Sequence, residues 1–158
     1  MAIRPYKAED AAAVRDCIVA LQEFERGLDS RMRPGAEIAE RYLADLLARC
    51  AREEGRIIIA EVEGAVAGFA AVFPKVASDE PDERDYDYAY VSDVAVLDRY
   101  RRRGLGRSLL QAAEGYARKR GAKWLRIGAL AANRGARNLY ESHGFRNREV
   151  LLEKPLTG

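Results

Sequence analysis

The densest run of chemistry-bearing residues in the chain is Arg101-Arg102-Arg103-Gly104-Leu105-Gly106-Arg107-Ser108. It follows the apolar run Val94-Ala95-Val96-Leu97. It opens a segment in which Leu105, Leu109, Leu110, Ala113, Tyr116 and Ala117 recur at helical spacing. A strand, a basic glycine turn and a helix in that order leave free backbone N–H groups at a helix N-terminus among guanidinium groups. Such a place favours an anion, most naturally a diphosphate. Two common nucleotide motifs are excluded. The third glycine of the dinucleotide fingerprint would fall on Leu109, and a phosphate loop would need Lys where Arg107 stands, with a different glycine spacing.

A second segment gives the turn its meaning: Asn133, Ala136, Leu139-Tyr140 and Gly144-Phe145 follow at fixed spacing, after an intervening helix and strand. Together the two segments resemble the signature motifs of the GNAT superfamily of N-acyltransferases, which use acetyl-CoA. The resemblance covers about residues 91–145. It implies an acyltransferase that moves an acetyl group from acetyl-CoA to a primary amine by direct attack in a ternary complex. The alternative is a non-catalytic acyl-CoA-binding or sensor module, which would keep the binding turn but need not keep Tyr140. A nucleic-acid backbone patch is the third reading. It lacks interleaved aromatics and a basic overall charge.

Residue roles follow from the resemblance. Val94, Ala95 and Val96 present backbone groups to the amides of the pantetheine arm, as a neighbouring strand would. Arg101, Arg102, Arg103, Gly104, Leu105, Gly106, Arg107 and Ser108 form the coenzyme A diphosphate loop, with main-chain donors from 103 to 108. Asn133 caps a short helix or bonds the pantetheine arm, in company with Ala136. Tyr140 lies near the thioester sulfur and acts as general acid towards the departing thiolate. Gly144-Phe145 reads as a helix stop and a core anchor, and His143 as a surface or cap residue. The general base is the open question. An amine of lysine-like pKa, near ~10.4, resists deprotonation at pH 7 by more than about 4 kcal/mol, so some group must take its proton. Some relatives carry a Glu five residues before the Asn. That position is Gly128 here, which leaves Asp93 and, late in the first helix, Glu23 and Glu25 as candidates for base or substrate contact, or a base acting through water.

The elements that must position these residues are legible in outline. A short strand is predicted over 2–6, then a helix over 11–26 with Asp10 as its N-cap, and a second helix over 36–53 with Ile38, Tyr42, Leu43, Leu46 and Leu47 as its apolar stripe. Strands over 56–62 and 65–73 form a hairpin turning at Glu63-Gly64, and Pro74 limits the second. An acidic loop follows, then a strand over 88–97, a helix over 104–120 stopped by Gly121, a strand over 123–130, a helix over 133–143 and a closing strand over 145–154. The fold class is α/β: a GNAT-like mixed, mostly antiparallel sheet of six to seven strands with a central, splayed parallel pair, flanked by about four helices. With room for one strand after Phe145, the sheet edge is left open to a second subunit, which suggests a homodimer.

The chain of 158 residues fits a single domain over 1–158, long enough for a substantial core. With 27 Lys and Arg against 25 Asp and Glu, basicity is local, which argues against a nucleic-acid partner. No apolar stretch approaches the ~20 residues of a membrane span, and the N-terminus lacks a signal core, so no membrane is expected and the location is read as cytoplasmic. Cys17 and Cys50 show neither metal-ligand nor disulfide spacing, so no metal is expected. Cys17, on a helix face with Val14, Ile18 and Leu21, reads as a small buried hydrophobe.

Overall fold

The computed structural model describes residues 1–157. Its elements are β1 (Ala2–Pro5), α1 (Ala11–Leu28), α2 (Gly35–Glu53), β2 (Arg56–Val62), β3 (Ala65–Ala77), β4 (Asp87–Val96), α3 (Leu105–Lys119), β5 (Leu125–Ile127) and α4 (Arg134–Ser142). The strands form one five-stranded sheet in the order β1-β2-β3-β4-β5, antiparallel throughout except for the parallel pair β4 and β5.

The alternation of the strands sends side chains to two cores. Ile57, Ile59, Phe69, Ala71, Phe73 and Ala95 meet Val14, Cys17, Ile18, Leu43 and Leu46 of α1 and α2. Ile58, Ala60, Ala70, Val72 and Val91 meet Leu105, Leu109 and Ala113 of α3 on the other face. A sheet covered on both faces explains why β2 and β3 are near-continuous apolar runs. The β2–β3 hairpin turns on Glu63 (φ 51°) and Gly64 (φ 79°), the two positive φ values that a two-residue turn of matching twist requires. α3 stops where Ala122 N–H reaches back to Ala117 C=O, with Gly121 in the left-handed region (φ 87°).

α1 and α2 cross closely at Gly35. A Cβ there would lie 2.8 Å from the Val19 carbonyl oxygen, and the Gly35 N–H donates to Glu23 Oε1 at 2.7 Å. This pins the start of α2 to α1. Glu23 is thereby committed to the helix junction.

Four sequence expectations are corrected. The sheet has five strands, not six to seven, so the parallel pair lies at its edge rather than its centre. The closing strand over 145–154 does not form: residues 145–157 carry no strand or helix. An extended segment becomes a strand only by pairing, and this one is held instead by ion pairs from Arg148 to Glu83 and from Arg31 to Glu153. β3 continues through Pro74 to Ala77, because the missing N–H falls at a register irregularity between Phe73 and Val76. Asp10 does not cap α1 through its side chain. Its carboxylate accepts from Arg4 at 2.8 and 2.9 Å and from Lys7 N–H at 2.8 Å, in a buried position.

Candidate active site

The site is organised by the separation of β4 from β5. Their ladder runs from Ala89 with Leu125 to Val91 with Ile127 and stops there. Beyond Val91, β4 remains paired to β3 through Asp93, Val94, Ala95 and Val96, so its other edge is free of β5 over the stretch expected to receive pantetheine. β3 approaches that stretch closely at Gly68, where a Cβ would lie 2.4 Å from the Ala95 carbonyl oxygen.

A bulge sets the orientation of the site residues. Ala71 pairs with Asp93 but Val72 pairs with Val91, which leaves Ser92 as the extra residue on β4. Without it, Asp93 would share the α3 face with Val91. With it, Val94 and Val96 join Val91 on the α3 face, while Asp93 turns to α2.

At the end of β4 the chain makes a 3-10 turn (Asp98–Tyr100) and enters α3. Arg102 (φ 59°) and Gly104 (φ 77°) both adopt the left-handed region. The first backbone bond closing on the turn runs from Ser108 N–H to Gly104 C=O. The amides of Leu105, Gly106 and Arg107 find no acceptor among the described residues. Three open donors at the positive end of a 15-residue helix are a setting that favours an anion. Leu105 is buried in the α3 core and anchors the turn with its side chain. At Gly106 a Cβ would stand 2.9 Å from Leu139 Cδ2, so α4 packs against the start of α3.

The arginines of the turn divide. Arg101 Nε donates to Val96 C=O at 3.1 Å, and its guanidinium pairs with Asp98 at 3.1 Å, so it braces the end of β4. Arg107 reaches Ser142 Oγ of α4 at 3.2 Å. Arg102 and Arg103 are exposed at the turn, Arg103 with its guanidinium 5.7 Å from the Tyr100 ring centre. Ser108 Oγ donates to Gly104 C=O. Asn133 is buried, and its Oδ1 accepts from Ala136 N–H at 3.1 Å, the geometry of a helix N-cap. His143 ends α4, with Nε2 3.1 Å from Glu114.

Four elements distant in sequence meet in a second cluster. Asp93 of β4 is 7% exposed. Tyr42 of α2 donates to its Oδ1 and Ser92 to its Oδ2, each at 2.6 Å. No cation among the described residues bonds it, and burial pushes its carboxyl above the ordinary carboxylate value, against those two hydrogen bonds and the field of Arg49. Glu25 of α1 is half-buried. Its carboxyl is raised by burial and then by the charge of Asp93. Tyr140 of α4 is pushed up to about 12, first by burial and then by Glu25, Asp93 and Tyr90. The structure therefore brings together Tyr140, Asp93 and Glu25, three of the residues singled out for chemistry.

Tyr42, Ser92 and Tyr90 were not singled out. Tyr42 passed as one more residue of an apolar stripe, although a tyrosine at a helix interface usually needs a partner for its hydroxyl.

The profile of the acetyltransferase (GNAT) family matches residues 21–145. The chain belongs to that family and is an acyltransferase. Among its relatives, the uncharacterized N-acetyltransferase YhfO of Bacillus subtilis strain 168 is 37% identical over 145 residues, which is 92% of this chain and 89% of that protein. The fold is shared with a mutant of the BH1408 protein of Bacillus halodurans, with a TM-score of 0.84 at 21% identity over 99% of this chain and 100% of that one. It is also shared with a GCN5-related N-acetyltransferase of Ralstonia eutropha JMP134, with a TM-score of 0.73 at 22% identity over 99% of each chain. Acetyl-CoA as co-substrate and an amine as acceptor are general to the family.

Proposed function

We propose that this chain transfers an acetyl group from acetyl-CoA to a primary amine by direct attack in a ternary complex. The observation that carries this reading is the meeting of two half-sites at the end of β4. The open amides of α3 suit a diphosphate, and the free edge of β4 suits a pantetheine arm. The cluster of Glu25, Asp93 and Tyr140 lies beside that edge and suits an amine and a departing thiolate.

In this reading Leu105, Gly106 and Arg107 hold the diphosphate through their amides, helped by Arg102 and Arg103. Gly104 and Gly106 keep the backbone accessible, and Ser108 and Arg101 brace the turn. Asn133 and Ala136 fix the start of α4, so that Tyr140 faces the sulfur. Glu25 binds the acceptor as an ammonium, and Asp93 is the base that receives its proton. Tyr140 donates a hydrogen bond to the sulfur as the C–S bond breaks and gives up its proton only afterwards. Complete transfer from a phenol near 12 to a thiolate near ~8.5 is uphill by roughly 5 kcal/mol, so Tyr140 shares the charge on sulfur before it quenches it. Holding amine and thioester in register accounts for much of the remaining acceleration.

No described helix is long and apolar enough to cross a membrane. Both cysteines are unpaired, which fits the reducing cytoplasm as the place of reaction. We also propose a homodimer. Val150, Leu151, Leu152 and Leu156 are 69–93% exposed, and a cleft of about 280 Å³ lined by Arg118, Trp124, Leu125, His143 and Phe145 lies beside the short β5. An apolar extended segment and an unpaired strand edge, each left bare, suit pairing between two copies. Analytical ultracentrifugation at micromolar concentration is expected to give a dimer, and a monomer would reject it.

The acetyl-transfer reading is tested by incubating the protein with acetyl-CoA and a panel of primary amines while following free thiol. Amine-dependent thiol release is expected. Binding of acetyl-CoA with no transfer to any amine would favour the acyl-CoA sensor.

A further inference from the structure

Asp93 is the best-placed proton sink of the site, yet the acceptor has little direct access to it. At 7% exposure, with Tyr42 Oη on one carboxylate oxygen and Ser92 Oγ on the other, both at 2.6 Å, it has no open face for an amine. Tyr42 differs. It is 38% exposed, stands on α2 in front of β4, and its hydroxyl feels Asp93, Glu25 and Tyr90. It therefore links a partly exposed position on α2 to the buried carboxylate through its hydroxyl. A hydroxyl can accept one proton while donating its own, and a 2.6 Å contact is short enough for that exchange.

We propose that Tyr42 is a proton relay, carrying a proton from the acceptor ammonium to Asp93 Oδ1. This rests on the acetyl-transfer reading. The ammonium gives one proton to Tyr42 Oη as the Tyr42 proton passes to Asp93 Oδ1, which leaves the neutral amine. The amine nitrogen attacks the thioester carbon. The N–C bond forms, the C–S bond breaks, and the electron pair leaves on sulfur. The second nitrogen proton goes to the sulfur by way of Tyr140 or solvent. Asp93 then returns its proton through Tyr42 to water. Overall the ammonium and the thioester yield amide, thiol and one released proton.

Tyr42 never becomes a tyrosinate on this path. Burial and the charge of Asp93 hold its hydroxyl well above the ordinary phenol value, which favours passing both protons in one step. The groups facing the relay are Glu25 from α1, Tyr90, Ser92 and Asp93 from β4, and Arg49 of α2, whose guanidinium is tied to Glu53 at 2.9 Å and lies over the Phe73 ring. None competes for the Tyr42 proton at its hydrogen-bonding position. Ser92 secures the second carboxylate oxygen and is a positioning residue.

The test compares Tyr42→Phe, Asp93→Asn and the double variant with an amine that the wild-type protein acetylates. Each single change is expected to lower kcat/KM about 10²-fold, in the range of lost acid–base catalysis. The double variant should fall no more than about threefold below the weaker single, because the two residues act as one unit. Calorimetric affinity for coenzyme A should stay within twofold, which shows that the donor site is still folded. A second readout separates a relay from a packing role: rates in H2O and D2O mixtures should curve as for two protons in the wild type and become linear in Tyr42→Phe. Tyr42→Phe at more than half of wild-type kcat/KM, or losses that multiply in the double variant, would overturn the relay and leave the acetyl-transfer reading intact. Absence of transfer by the wild type would overturn both.

Discussion

Two carboxylates are buried among the described residues, and they have opposite surroundings. Asp10 is met by Arg4 through two hydrogen bonds and by the Lys7 amide, and Arg4 also bonds Glu61 at 2.7 Å. The Arg4 guanidinium holds its carboxyl below the ordinary carboxylate value. Asp93 is also buried but is met by two hydroxyls and by no cation among the described residues, and its carboxyl is pushed up. The first arrangement ties β1 to the start of α1 and to β2, and stabilises the fold. The second leaves a buried carboxyl held by hydroxyls alone, which suits the proton acceptor of the proposed reaction.

The largest expected effect separates the two. Asp93→Asn should lower kcat/KM by about 10²-fold, equivalent to roughly 3 kcal/mol in the transition state, without lowering thermal stability at pH 7. An activity within threefold of wild type would dissolve the contrast. Asp10→Asn should do the reverse. Breaking its pair with Arg4 should cost about 3 kcal/mol in denaturant unfolding while leaving kcat within twofold.

The pH dependence of the same two variants sharpens the comparison. Asp10 has a lowered carboxyl, so its contribution is present above the unfolded value near ~3.9 and is lost as pH falls through its folded value. Asp93 has a raised carboxyl, so stability that is present below ~3.9 is lost as pH rises through its folded value. At pH 7 Asp10→Asn should therefore melt below wild type and Asp93→Asn at or above it. In acid, once both native carboxyls are protonated, both differences should shrink. Differential scanning fluorimetry from pH 3 to 8 reads this directly, and a parallel pH response of the two variants would refute the assignment.

Smaller effects belong to the groups around Asp93 and to the donor half. Tyr140→Phe should reduce kcat about 10-fold with coenzyme A affinity unchanged, since only the hydrogen bond to sulfur is lost. Gly104→Val places a β-branched residue at φ 77°, a strain of about 1–2 kcal/mol, and should raise KM for acetyl-CoA severalfold with little change in kcat. A fall in kcat with KM unchanged would place the turn in the chemistry instead of in donor binding.

The two halves of the site were unequally legible in the sequence, and the reason is physical. In the proposed reading the donor half binds through backbone amides, so its requirements are glycines, a helix start and a preceding strand, all within residues 94–108 and 133–145. Contiguous residues carry such a pattern openly. The acceptor half is made of side chains from α1, α2, β4 and α4, and only tertiary packing brings them together. The Ser92 bulge has no sequence mark, yet it decides which face Asp93 occupies. Tyr42 is hidden by its place in the stripe of Ile38, Leu43 and Leu46. The run Val150-Leu151-Leu152 shows the converse: strand-like residues that pair with no strand remain an exposed segment.

If the open amides of α3 and the uncompensated carboxylates beside β4 serve one reaction, donor binding and proton removal must meet in a single turnover. Mass spectrometry of a panel of primary amines incubated with acetyl-CoA and the wild-type protein reads this, with thiol release followed in the same vessel. An amine should gain one acetyl group in one-to-one proportion with thiol, at a rate reduced about 100-fold by Asp93→Asn. Thiol release without an acetylated amine, or acetyl transfer indifferent to Asp93, would show that the two half-sites do not act together.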